Sequence, residues 1–110
     1  MKRPRRVQVG PHTYFVSYDA GDIAKVSVES GDQLAGHCWP SKGEIVVAPD
    51  LSPSQTRDTL LHEVLHACWS LVGLGEGKLT EERVVLALAP ALLDTLDRNP
   101  KLRNYLWGTP

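Results

Sequence analysis

The first half of the chain is patterned as strands. The stretch HTYFVSYD is rich in aromatic and β-branched residues and predicts a strand over 13–18. After the turn AGD, the apolar residues Ile23, Val26 and Val28 predict a second extended segment. LAGHCW and GEIVVAP flank PSKG, a sequence suited to a tight turn. They predict a hairpin whose second strand covers 44–48 and ends at Pro49-Asp50.

A well-marked helix follows the hairpin. Ser52 can cap its start, Pro53 suits the first helical position, and Gln55 completes a capping box. The helix is predicted over 53–72, with Gly73 as its C-terminal stop.

A second long helix is predicted for EERVVLALAPALLDTLD. Thr80 can cap it, Pro90 should kink it, and it should end before Asn99-Pro100. KLRNYLWG predicts a short last helix. The fold expected is α+β: a small antiparallel sheet packed on the first long helix and on a Pro-kinked second one. The expected inward stripe of that second helix is Val85, Leu88, Ala89, Leu92 and Leu96.

Length and composition describe one ordinary globular domain over residues 1–110. The chain is 42% hydrophobic and 23% charged, and its net charge of -1 gives no overall attraction to nucleic acid. Four of its basic residues lie in the first six positions, which predicts a flexible basic arm over 1–6. Such an arm could also touch phosphate, although nucleic acid is not the partner that we expect.

The chain shows no sequence typical of export or membrane insertion. No apolar run approaches the ~18 residues that a membrane span needs. The basic start is followed by VQVGPHTYF rather than by an apolar segment, so neither a signal peptide nor a membrane partner is expected. We therefore expect the protein to be located in the cytoplasm. Cys38 and Cys68 should then be free thiols.

The stretch TLLHEVLHACW carries the candidate chemistry, because it contains an HExxH motif. On a helix, His66 lies only about 40° from His62, so both imidazoles share one face. Two imidazoles so spaced can bind one zinc ion. Glu63 lies about 100° from His62. It is therefore better placed to act as a general base on a water than as a ligand beside both histidines.

A third protein ligand should be a carboxylate, because His12 and His37 both lie upstream of the motif. Glu82 is the choice, since it precedes Val85 of the expected inward stripe by three residues, with Glu81 close behind. Acidic residues are also favoured at a helix start by the helix dipole alone. The downstream candidates are Glu76, Glu81, Glu82, Asp94 and Asp97.

Over residues 44–93, HEVLH followed by EERVVLALAPALL resembles the ImmA/IrrE-like metallopeptidases and related small phage or prophage proteins, a minimal form of gluzincin. The resemblance implies a zincin-like core with one zinc ion per chain, held by His62, His66 and Glu82. It also implies Glu63 as the catalytic base and a protein or peptide substrate. In the family a strand runs antiparallel to the substrate, and 44–48 occupies that place. Val85 stands where the family pattern usually has alanine.

The expected function is therefore that of a zinc-dependent peptidase. The first alternative is a helix with two surface histidines that binds nothing. The second is a metal-stabilised interaction module without catalysis that uses the zincin fold to bind a partner. The third is a nucleic-acid-associated factor that the basic arm tethers and whose HExxH motif is structural. Retention of Glu63 favours catalysis, since a structural site needs no base. Trp69 could line the cleft. Candidate donors to an oxyanion, with none preferred, are Tyr14, Tyr18, His37, Arg83 and Tyr105.

Overall fold

The computed structural model describes residues 2–30, 35–74 and 77–107, and for residues 28–30 it describes the backbone alone. The described residues form four strands and four helices. In chain order they are β1 (Arg6–Val9), β2 (His12–Ser17), α1 (Ala20–Ser30), β3 (Gly36–Trp39), β4 (Glu44–Val47), α2 (Pro53–Leu71), α3 (Glu81–Arg98) and α4 (Pro100–Trp107).

The four strands form one mixed sheet in the order β1-β2-β4-β3. The β3–β4 hairpin is antiparallel, as predicted, and so is β1–β2, but β2 and β4 run parallel. The expectation of an antiparallel sheet is therefore wrong for the central pair. Because β4 is paired on both sides, the segment 44–48 is not a free edge either. Among the described residues, the edge strands are β1 and β3.

Helix α1 replaces the extended segment expected around Ile23 and Val26. Asp19 caps this helix: its Oδ1 accepts from the Gly21 and Asp22 amides at 2.8 and 3.2 Å. Ile23 and Val26, three positions apart, are both buried, which fits a helical period as well as it fits an irregular strand. The turn signal AGD is in fact the start of a helix.

The N-terminal residues pack against the sheet instead of forming a free arm. Arg6 begins β1 and pairs with Phe15. The Tyr18 hydroxyl donates to the Pro4 carbonyl at 2.8 Å, and the Arg3 guanidinium lies 4.5 Å from the Tyr18 ring centroid. The prediction of a flexible arm over 1–6 is therefore wrong from residue 3 onward.

One face of the sheet carries the larger core, which packs against α2, α3 and α4. The inward side of α3 differs from the expected stripe. Val85 is 52% exposed, Ala89 is exposed too, and Ala91 and Thr95 are buried in their place. The smaller cluster lies between α1 and the other face of the sheet.

The side chain of Asn99 covers the outer edge of β1. Its Nδ2 donates to the Gln8 carbonyl at 2.8 Å, and its Oδ1 accepts from the Gln8 amide at 2.9 Å. A single amide side chain thus satisfies the two backbone groups that a neighbouring strand would otherwise pair. None of the helices in the described part of the chain combines the length and the apolar content that crossing a membrane requires.

Candidate metal centre

Helix α2 carries the HExxH motif between the two ends that the sequence predicts. The Ser52 hydroxyl accepts from the Gln55 amide, and the Gln55 side chain accepts from the Ser52 amide, so the capping box is confirmed. At the other end Val72 is the C-cap, and Gly73 has a φ of 67°. The buried residues of α2 hold the helix against the sheet and leave one side facing solvent.

His62 and His66 meet on that solvent side, as predicted. Their Nε2 atoms lie 3.2 Å apart, and the ring planes are inclined at 71°. A zinc ion with Zn–N bonds of about 2.0–2.1 Å and tetrahedral angles requires a separation of about 3.3 Å between two nitrogen ligands. The two imidazoles therefore already have the spacing that a shared tetrahedral ion needs.

Glu63 brings a carboxylate to the same place from the buried side of the helix. Its side chain is only 5% exposed, and its pKa is raised by burial, an effect partly opposed by His62. One ligand atom from each of His62, Glu63 and His66 lies within 4.8 Å of the others. Burial, followed by His62 and His37, lowers the pKa of His66, which favours the neutral imidazole that binds metal.

Strand β3 forms the opposite wall of the site, and Gly36 permits its close approach. A Cβ at position 36 would lie 2.7 Å from Cγ2 of Thr59 and 3.0 Å from Oε2 of Glu63. It would also lie 3.0 Å from the Val46 carbonyl oxygen. Only glycine fits here, so the carboxylate can lie directly against the strand. Gly36 is not among the site residues predicted from the sequence, which contains no local signal for this role.

An open cleft of about 460 Å³ lies between α2 and the β3 region. The expected position of Trp69 on its wall is confirmed. Of the five candidate oxyanion donors, only His37 lines this cleft. The lining residues are Gly36, His37, Cys38, Pro40, His62, Glu63, His66, Trp69 and Ser70.

None of the predicted downstream carboxylates joins this cluster within the described residues. Glu81 and Glu82 are exposed at the start of α3, and Asp94 pairs with Arg98 at 2.8 Å. Glu76 lies outside the described residues. The reason for choosing Glu82 is also lost, because Val85 does not point inward.

The helical phase of α3 now separates the two glutamates. Glu81 precedes the partly buried Leu88 by seven residues, two full turns, and so lies on the same side of the helix. Glu82 instead continues the exposed stripe formed by Leu86 and Leu93. The phase therefore favours Glu81 as the residue directed toward the body of the protein.

No family model, curated protein or solved structure matches this chain. The geometry of the site and the chemistry of its residues therefore carry the interpretation.

Proposed function

We propose that this protein is a zinc-dependent peptidase with the core of a minimal gluzincin, acting in the cytoplasm on a protein or peptide. One observation carries the proposal: the 3.2 Å separation of the His62 and His66 Nε2 atoms, with the buried carboxylate of Glu63 beside them. A structural site would need the two imidazoles and no buried base. The sequence resemblance to ImmA/IrrE-like and phage proteins supports the same assignment.

A zinc ion held by the two imidazoles would supply a Lewis acid for the scissile carbonyl and would lower the pKa of water to ~7. Glu63 is the proton carrier. Its carboxylate accepts the proton of the attacking water, and burial helps because a raised pKa makes the Glu63 carboxylate a stronger base. Glu63 then returns that proton to the leaving nitrogen.

The outer edge of β3 is the strand that could hold a substrate backbone, in place of the segment 44–48. The Ala48 amide donates to the Ala35 carbonyl at 2.7 Å, which fixes the alternation of the β3–β4 ladder. By that alternation, the peptide groups of Gly36 and Cys38 point away from β4. An extended peptide could therefore pair with Gly36 and Cys38 beside Glu63.

The third ligand is proposed to come from the start of α3. The family resemblance names Glu82, whereas the phase of α3 favours Glu81. Either residue would bring a carboxylate to a two-histidine site, which is a set that suits catalytic zinc.

Metal content and peptide cleavage test the proposal together. The purified protein should contain about one zinc ion per chain by mass spectrometry of the metal. Zinc should remain in Glu63→Gln, which should no longer cleave a peptide library, and should be lost in His62→Ala. His12→Ala is a matched control, because His12 is an exposed histidine outside the cluster.

Two results would contradict the proposal. Full zinc content in His62→Ala would show that His62 does not bind the zinc ion, and the proposed site would then be wrong. Zinc binding without any cleavage, for wild type and Glu63→Gln alike, would instead support the metal-stabilised interaction module.

A further inference from the structure

Trp69 is a large aromatic residue that core packing does not account for. It is half-buried on α2, three residues after His66 and seven after His62, and so lies on the same side of the helix. Neither buried apolar cluster of the described residues includes it. No described residue accepts a hydrogen bond from its indole N–H. What it does line is the cleft that holds the two histidines.

The walls of the cleft around Trp69 are apolar or uncharged. Pro40 and Cys38 contribute from the β3 side, and burial raises the pKa of Cys38 to about 12, so its thiol is neutral. Glu63 is the only carboxylate among the lining residues, and none of them is lysine or arginine. Trp69 and Pro40 carry no charge, so a charged side chain packed against these two residues would lose water without gaining an opposite charge from them.

We propose that Trp69 is a specificity-determining residue, which with Pro40 forms a subsite for an uncharged, apolar side chain next to the hydrolysed bond. The inference rests on the proposed peptidase function and names its substrate class: extended segments with an aliphatic or aromatic residue at that position. Pro40 also has no N–H, so the edge of β3 presents an apolar surface there instead of a hydrogen-bond donor.

Partial burial of a leucine-sized side chain against an indole ring corresponds to about tenfold in cleavage efficiency over a polar side chain of similar size. Trp69→Ala should lose most of this preference. Trp69→Leu should keep it, because the wall stays apolar. Trp69→Lys should reverse it and favour Asp or Glu, since the new ammonium group would pair with an acidic side chain.

A randomised, end-capped hexapeptide library tests the subsite, with the cleaved bonds identified by mass spectrometry. Trp107→Ala is the matched control, because Trp107 is 65% exposed on α4 and does not line the cleft. Trp107→Ala should retain the wild-type apolar preference. A wild type that cleaves without preference, or a Trp69→Lys variant with an unchanged preference, would overturn the inference and leave the peptidase function intact.

A binding measurement separates failure of the subsite from failure of the proposed function. In Glu63→Gln, the indole N–H resonance of Trp69, assigned from its absence in Trp69→Leu, should shift with N-acetylleucinamide. It should shift several times less with N-acetyllysinamide at the same concentration. If no variant cleaves the library, the proposed function fails, and this comparison still decides the subsite: equal shifts, or none, overturn it.

Discussion

At the scale of single residues, the site depends on side chains that supply ligand atoms and on a position where the absence of a side chain leaves space. His62 and His66 supply ligand atoms, and Glu63 supplies a buried carboxylate. Gly36 has no side chain and so leaves the space in which that carboxylate lies. The first three could be predicted, because i to i+4 geometry is local. The role of Gly36 could not, because it depends on two segments that are distant in sequence.

Gly36→Ala should destabilise the fold and displace Glu63. The added methyl group would meet the Val46 carbonyl and the Thr59 methyl group, and the backbone carbonyl cannot rotate away. We expect a loss of ~1–3 kcal/mol in the free energy of unfolding, measured by urea titration in the presence of a chelator. Peptide cleavage should fall more than metal content, because the base is displaced and the histidines are not.

The double variant Gly36→Ala/Thr59→Ser controls for this crowding. Serine lacks the Cγ2 atom that lies 2.7 Å from the added carbon, so part of the lost stability should return. A Gly36→Ala variant as stable as wild type would show that β3 can move away from α2 at no cost.

At the scale of elements, the sequence predicted helix ends well and helix phase poorly. The ends of α2 depend on Ser52, Gln55 and Gly73, which act within one turn of themselves. The phase of α3 is different, because VVLALAPALL places apolar residues on every side. The buried positions are Ala91 and Thr95, and they are selected by packing, since α3 lies against β1, α2 and α4.

This change of phase leads to a prediction for the third ligand. Glu81→Ala should weaken zinc binding more than Glu82→Ala, because Glu81 shares the side of α3 that contains Leu88. The loss should be about tenfold or more in the dissociation constant, measured by competition with a chromophoric chelator. A larger effect of Glu82→Ala than of Glu81→Ala would favour Glu82 as the third ligand. Equal, small effects of both substitutions on zinc affinity would exclude both residues as ligands.

Asn99 joins two elements, β1 and α3, through one side chain. It bonds both backbone groups of Gln8 in β1, and its Nδ2 also donates to the Thr95 carbonyl of α3 at 2.7 Å. Asn99→Ala would leave these partly buried backbone groups without their protein partners. We expect a loss of ~1–3 kcal/mol in the free energy of unfolding, measured by urea titration.

Asn99→Asp is the matched variant, because it keeps the acceptor for the Gln8 amide and loses both donated bonds. It should still destabilise the protein, since a carboxylate facing two carbonyl oxygens is repelled. If Asn99→Ala unfolds at the wild-type urea concentration, water satisfies the β1 edge equally well.

At the scale of the whole molecule, the arrangement of the strands decides which edge remains open. Local patterns predicted the β3–β4 hairpin, because its turn is encoded in a few neighbouring residues. They did not predict β1, nor the parallel pairing of β2 with β4, which joins segments separated by α1 and β3. That pairing places β4 inside the sheet and β3 at its edge beside α2. Among the described residues, Asn99 covers the outer edge of β1, whereas no strand pairs with the outer edge of β3 next to the histidines.

The core also buries groups that ionise only in alkaline solution, and this predicts how stability depends on pH. Burial is the main cause that raises the pKa of Tyr14, Tyr18, Cys38 and Cys68, with Cys38 reaching about 12. Below pH ~7.5 these groups are almost fully protonated in both states and contribute no pH dependence. Above it the unfolded chain ionises first, so unfolding releases protons and the free energy of unfolding falls as pH rises.

The urea midpoint should therefore decline steadily from pH 8.5 to 11, measured with a chelator present so that metal binding does not contribute. In Cys38→Ala/Cys68→Ala the decline should begin later, near pH ~9, because the two buried tyrosines remain and ionise at higher pH than thiols in the unfolded chain. A midpoint that stays constant to pH 11 in the wild type would mean that these hydroxyl and thiol groups ionise as readily in the folded protein as in the unfolded one.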